Sequence, residues 1–181
     1  EFGEEIASLV EGVTNLSGIK FNSRQHKQAE NFMKMFLSVA SDIRVIIIKF
    51  ADRLHNMRTI GYLPLIKQRR IAIETRDVYA PLAHRLGMWK LKAELEDLVF
   101  ETLEPATYKV LSKKVKSSKK ELQKSIDNFK KPILVELDSF NIECKISGRS
   151  KHYNSIHEKM VKQRKEFSEI FDFLALRIIV G

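Results

Sequence analysis

Five polar residues recur at helical spacing in the first third of the chain: Lys49, Asp52, His55, Asn56 and Thr59. Positions 52, 55, 56 and 59 share one face of a helix, and Lys49 joins them. Such a face offers a carboxylate to a metal ion, and an imidazole, an amide and a hydroxyl to a polar ligand beside it. The same pattern also describes the wet side of a core helix, because charged faces usually meet only water.

A second group lies near the other end: Arg149, Lys151, Ser155, Lys159, Asp172 and Arg177. Gly148 allows a tight turn, and a helix opening at Ser155 would offer free N–H groups to an anion. Arg149 and Lys151 add charge on the same loop. Lys159 follows Ser155 by four residues and so lies on its helical face. Asp172 sits where a strand begins, a suitable place for a Mg²⁺ ligand. The plainer alternative is a basic loop and helix with no ligand.

The elements that must position these groups follow from periodicity. A short helix is expected over 4–12, ending at Gly12, and another over 24–40 from Ala29, Phe32, Met33, Phe36 and Ala40. Ser41 can cap a helix over about 42–60. Val45 to Ile48 alone would pass for a strand, but apolar positions continue at Phe50, Ala51, Leu54 and Met57, too far for a typical strand. Pro64 opens a helix to about Tyr79, Pro81 should end or kink it, and Gly87 is a plausible C-cap. Helices follow over 88–103, 105–115 and 118–139, with Pro132 an irregularity in the last. Ile142, Cys144 and Ile146 then alternate with Glu143 and Lys145, a strand that Gly148 should end. Ser155 and Glu158 form a capping-box pattern for a helix to about Glu166, and Phe173 to Val180 reads as a buried strand. Tyr79, Pro81, His84 and Trp89 read as packing residues, and Cys144 as a core residue.

The chain has 181 residues, with 32 Lys+Arg against 23 Asp+Glu and a net charge of +9. Residues 109–165 hold 16 basic and 6 acidic groups, so the basic excess belongs to that segment alone. Such a balance suggests an anionic partner. A single cysteine excludes a disulfide framework, and no apolar run approaches the roughly 18 residues of a membrane span. The chain starts Glu-Phe-Gly and stops in an apolar run, which suggests a piece of a longer cytoplasmic protein without a membrane segment.

The stretch from Ser41 to Thr59, SDIRVIIIKFADRLHNMRT, resembles the signature of the long alarmone synthetase/hydrolases, the RelA/SpoT family. Ile6 to Leu16 (IASLVEGVTNL), Glu74 to Gly87 (ETRDVYAPLAHRLG) and Gly148 to Met160 (GRSKHYNSIHEKM) resemble further blocks of that family, in the same order. The resemblance implies a mainly α chain. Residues 1–103 would be the C-terminal part of an all-helical HD-type (p)ppGpp hydrolase with linking central helices. Residues 104–181 would begin an α/β, nucleotidyltransferase-like (p)ppGpp synthetase. Asp52 would be a Mn²⁺ ligand, with Asn56 and Thr59 facing the guanine nucleoside. The metal would activate water to release the 3′-pyrophosphate. Arg149 and Arg177 would flank the adenine of ATP, Lys151, Ser155 and Lys159 would hold its phosphates, and Asp172 would bind Mg²⁺ for pyrophosphoryl transfer to GDP or GTP.

The family's other hydrolase ligands, a histidine and a His-Asp doublet, belong upstream, and no histidine here is followed by Asp. The synthetase glutamate and the GDP/GTP-binding tyrosine region belong beyond Gly181. Asn154 stands where long members usually have an aromatic residue. The implied reading is therefore a stringent-response enzyme of which this fragment is by itself inactive. A degenerate regulatory relative and a non-catalytic RNA-binding module using the basic segment are the alternatives. The lysine run Lys113–Lys120 reads as a solvated helix end and turn, able to reach ribosomal RNA in a full-length protein.

Overall fold

The computed structural model describes residues 2–14, 33, 37, 42–140, 142–170 and 174–180, with backbone alone at 119–127, 129, 147–150 and 174–176. Of the expected helix over 24–40 only Met33 and Leu37 are among these residues, both helical, and the Ser41 cap lies outside them. The chain divides into two compact units, Glu1–Tyr62 and Leu63–Gly181.

In the first unit, helix α1 (Glu4–Val13) packs on α2 (Arg44–Arg58). Arg44 joins them through a 2.6 Å ion pair to Glu5. The carboxylate of Asp42 accepts the Arg44 N–H at 2.8 Å and its guanidinium at 2.6 Å, at the helix start where unpartnered N–H groups collect. Those hydrogen bonds hold the Asp42 carboxyl below its ordinary pKa. The periodicity of α2 is real: Val45, Ile46, Phe50 and Met57 are buried. Ile47 and Ile48 are the exception and remain about half exposed. A single turn of tighter helix, Ile60–Tyr62, follows.

The second unit opens at Pro64 with α3 (Leu65–Glu74). Pro81 does not stop this helix. Thr75–Tyr79 form a widened π-type turn in which the Ala80 N–H reaches back five residues to Thr75 O, and α4 (Ala80–Arg85) carries Pro81 in its first turn. The early turn is where a missing proline N–H costs least, and the widened turn precedes the ring that a regular helix would crowd. Gly87 behaves as expected. Its φ is +72°, its N–H reaches His84 O, and the Met88 N–H reaches Ala83 O, a Schellman closure.

Helix α5 (Trp89–Leu103) buries Ala93, Leu95, Val99 and Phe100. It packs against α3, the π-type turn and α4 as well as the helices that follow. The expected break near residue 116 does not occur. Helix α6 runs from Pro105 to Ser139, 35 residues, with Pro132 inside it. No glycine interrupts that span, so the lysine run is helix surface, with Lys113, Lys114 and Lys116 exposed.

Strands β1 (Cys144–Ser150) and β2 (Leu174–Val180) pair antiparallel, from Cys144 opposite Val180 to Ser150 opposite Leu174. Gly148 therefore lies within β1, opposite Leu176, rather than ending it. Strand alternation puts Cys144, Ile146, Leu176, Ile178 and Val180 on one face, and Lys145, Arg149 and Arg177 on the other. Helix α7 (Tyr153–Gln163) follows β1. It ends on Arg164 in the left-handed conformation, φ 52°, and a short turn, Phe167–Glu169, comes next. Phe100, Leu111, Val115, Ile156 and Phe167 form the core where α5, α6, α7 and that turn meet. Among the described residues no helix is long and apolar enough to cross a membrane.

The architecture is mainly α with a small antiparallel ribbon, as the sequence led one to expect. Of the residues read as packing, Tyr79 is buried, whereas Trp89 is 56% exposed and its ring meets His84 edge-on at 4.4 Å. Those two rings staple the Gly87 turn from outside.

Candidate functional site

Helix α2 brings Asp52, Asn56 and Thr59 to one face, opposite the buried Phe50 and Met57. Asp52 is exposed, while Asn56 and Thr59 are half-buried. Asn56 Nδ2 donates to Asp52 Oδ2 at 3.1 Å, one helical turn away. That contact orients the carboxylate and leaves the amide oxygen of Asn56 turned to other donors. Thr59 caps the helix C-terminally and donates its hydroxyl to His55 O at 2.9 Å. His55 is exposed on the edge of the same face.

A carboxylate, an amide oxygen and a hydroxyl on one open helix face suit a polar ligand with N–H and O–H groups, such as a nucleoside. They do not by themselves hold a metal. Among the described residues no group of three or more His, Cys, Asp or Glu side chains comes close enough to bind one. Asp52 is there a single carboxylate, fewer donors than Mn²⁺ or Mg²⁺ needs.

The second constellation is built on β1, β2 and α7. Register places the positions of Arg149 and Arg177 on the same face of the ribbon, diagonal to each other, because Arg149 lies opposite Ala175 and Arg177 opposite Ser147. Arg177 is exposed, and the Arg149 side chain and all of Asp172 lie outside the described residues.

Lys151 comes directly after β1 and is exposed. The helix that follows opens two residues earlier than the sequence suggested: its N-cap is His152, and Ser155 is its third residue. The Ser155–Glu158 capping box is not formed, and Glu158 instead accepts from Asn154 Nδ2 at 3.1 Å and Lys162 Nζ at 3.1 Å. Ile156 is fully buried in the core, which leaves Ser155 exposed and Lys159 half-buried on the neighbouring faces.

The residue that sequence reasoning missed is Asp97 on α5. Its carboxylate accepts the Asn154 N–H at 2.8 Å and lies 3.0 Å from His152 Nδ1. No local motif signals such a contact, because it joins positions 57 and 55 residues apart. Close by, Tyr108 meets Phe100 and Tyr153 edge-on, and burial first, then the charge of Glu101, pushes its hydroxyl up to about 12.

A helical segment with a polar carboxylate–amide face is thus followed by a strand–helix unit rich in cations, and similarity to known proteins gives the class. Residues 1–89 match the HD domain family, and residues 148–181 match the family described as a region found in RelA/SpoT proteins. The chain is 52% identical over 180 residues to a probable guanosine-3′,5′-bis(diphosphate) 3′-pyrophosphohydrolase of Synechocystis sp., covering 99% of this chain and 24% of that protein. It is 48% identical to the bifunctional (p)ppGpp synthase/hydrolase SpoT of Escherichia coli, again over 99% of this chain and 26% of the relative. A GTP pyrophosphokinase of Myxococcus xanthus is 46% identical, over 98% of this chain and 24% of its own length. The chain belongs to the RelA/SpoT family and spans about a quarter of the length of these curated relatives.

Proposed function

We propose that this chain serves (p)ppGpp metabolism in the stringent response, as part of a cytoplasmic protein that removes the 3′-pyrophosphate of (p)ppGpp and transfers pyrophosphate from ATP to GDP or GTP. The observation that supports this best is the placement of two separate constellations, each in the segment matching the corresponding family. The face of Asp52, Asn56 and Thr59 lies within the HD match, and Lys151, Ser155, Lys159 and Arg177 lie within the RelA/SpoT match. Residues 1–103 would then be the C-terminal part of the hydrolase with its linking helices, and 104–181 the start of the synthetase.

At the first site Asn56 and Thr59 would hold the guanine nucleoside, and Asp52 would be one ligand of Mn²⁺, completed by residues other than those described. At the second site Arg149 and Arg177 would lie on either side of adenine. Lys151, Ser155 and Lys159 would bind the ATP phosphates, and Asp172 would be a Mg²⁺ ligand. The cations would act by neutralising the charge that develops on the transferred group, and by holding it in line with the accepting hydroxyl.

The test uses a protein that contains this chain, assayed for (p)ppGpp hydrolysis with Mn²⁺ and for pyrophosphoryl transfer from ATP to GDP with Mg²⁺. Asp52→Ala should abolish the first activity and spare the second. Lys151→Ala should lower the second and spare the first. Loss of both activities in either variant, or of neither, would break the assignment of the two constellations to two reactions. A non-catalytic RNA-binding role would show instead as salt-sensitive binding indifferent to nucleotide.

A further inference from the structure

Helix α7 carries Ser155 and Lys159 but has no cap of its own. Its N-cap residue, His152, makes no side-chain hydrogen bond to the first turn. What a Ser or Asp at that position would ordinarily supply comes from a different helix. Asp97 Oδ1 takes the Asn154 N–H at 2.8 Å, and Oδ2 takes His152 Nδ1 at 3.0 Å. The Asp97 side chain is only 16% exposed, and its negative charge faces the positive end of the helix dipole.

The two oxygens fix two different things. One holds the direction of the first turn of α7, and the other holds the connection that leaves β1 through Lys151. Ile156, fully buried among Phe100, Leu111 and Val115, anchors the same turn from its other side. The segment that carries Lys151, Ser155 and Lys159 is thus pinned by Asp97 of α5 on one side and by the core of α5 and α6 on the other. The Asp97 carboxylate also occupies the N–H that a phosphate would take at a bare helix start. An anion held there would be repelled, so phosphates must be met by side chains rather than by the Asn154 amide.

We propose that Asp97 is a positioning residue for the phosphate-binding segment, capping α7 from α5 so that Lys151, Ser155 and Lys159 converge on one nucleotide. The identity of the ligand rests on the function proposed above; the capping itself does not.

The test measures two properties of a protein that contains this chain: the hydrogen-exchange rate of the Asn154 amide, and the affinity for Mg-ATP. It compares the unsubstituted protein with Asp97→Ala, Asp97→Asn and Lys151→Ala. Asp97→Ala should speed Asn154 exchange and weaken Mg-ATP binding, each about tenfold, the size of a lost cap. Asp97→Asn retains an acceptor and should recover most of both losses. Lys151→Ala should weaken Mg-ATP binding without touching Asn154 exchange. Unchanged Asn154 exchange in Asp97→Ala overturns the cap. Faster exchange with unchanged Mg-ATP affinity overturns the positioning role. If Asp97→Ala does not fold, Asp97→Asn decides: an Asn154 amide exchanging at the rate of an unprotected amide overturns the proposal, and retained protection upholds it. If the unsubstituted protein takes up no Mg-ATP, the nucleotide reading fails, and Asn154 exchange alone decides whether Asp97 sets the helix.

Discussion

The ring of Phe100 on α5 lies nearly parallel to the imidazole of His157 on α7, with centroids 4.5 Å apart and planes inclined by 15°. Tyr108 of α6 meets the same phenyl ring edge-on at 5.5 Å. Phe100 is therefore the point at which three helices are held in register, and it is 3% exposed. Removing it leaves a cavity and abolishes both ring contacts. Phe100→Ala should cost about 3–5 kcal/mol, read from urea unfolding of the chain. Ile156→Ala, one turn from the cations of α7, should cost about 2–5 kcal/mol in the same measurement.

Two helix ends give opposite expectations for glycine. Gly87 closes α4 at φ +72°, where a side chain is strained whatever the space around it. Gly87→Ala should lower stability by about 1 kcal/mol. Arg164 closes α7 at φ 52° with a side chain present. Arg164→Gly should raise stability by about 1 kcal/mol, since it relieves the same strain. Thermal unfolding of the two variants side by side checks both signs.

Tyr108 links the core to pH. Burial, then the negative charge of Glu101, raises its hydroxyl from 10.0 to about 12. A group whose pKa is raised on folding binds its proton more tightly in the folded state. Its contribution is fully present below pH 10 and is lost as pH rises towards 12. The tyrosinate absorbance that rises towards pH 12 should shrink in Tyr108→Phe, and that variant should flatten the decline of stability over the same interval.

Much of this was legible in the sequence because it is local. The 3.6-residue period of Val45, Ile46, Phe50 and Met57 identified α2 against a tempting four-residue apolar run, and Gly87 announced its own turn. The polar face of Asp52, Asn56 and Thr59 needed nothing but spacing. The failures share a cause. By local rules Pro81 and Gly148 are punctuation, yet Pro81 sits in a first turn behind a widened one, and Gly148 is held in β1 by pairing with a strand that lies much later in the chain. The start of α7 was misplaced by two residues because its cap is Asp97, and no window around Ser155 contains it. The long α6 also ran through a lysine-rich stretch where composition suggested an end, because nothing there breaks a helix.

The contact between Asn56 and Asp52 separates two ways of damaging the first site. Asn56 Nδ2 lies 3.1 Å from Asp52 Oδ2 and so helps to keep that carboxylate oriented. Asn56→Asp replaces the donor with a second carboxylate one helical turn away, and like charges at that spacing repel and push the Asp52 carboxylate out of place. Asn56→Ala removes the donor without adding charge. In a protein containing this chain, Asn56→Ala should chiefly raise KM for (p)ppGpp, by about tenfold for one lost hydrogen bond. Asn56→Asp should lower kcat as well, by about 10–100-fold, the range expected when the support of a ligating group is lost. Steady-state release of pyrophosphate at pH 7 distinguishes the two, and a kcat unchanged from the unsubstituted protein in both variants would show that Asn56 does not orient Asp52.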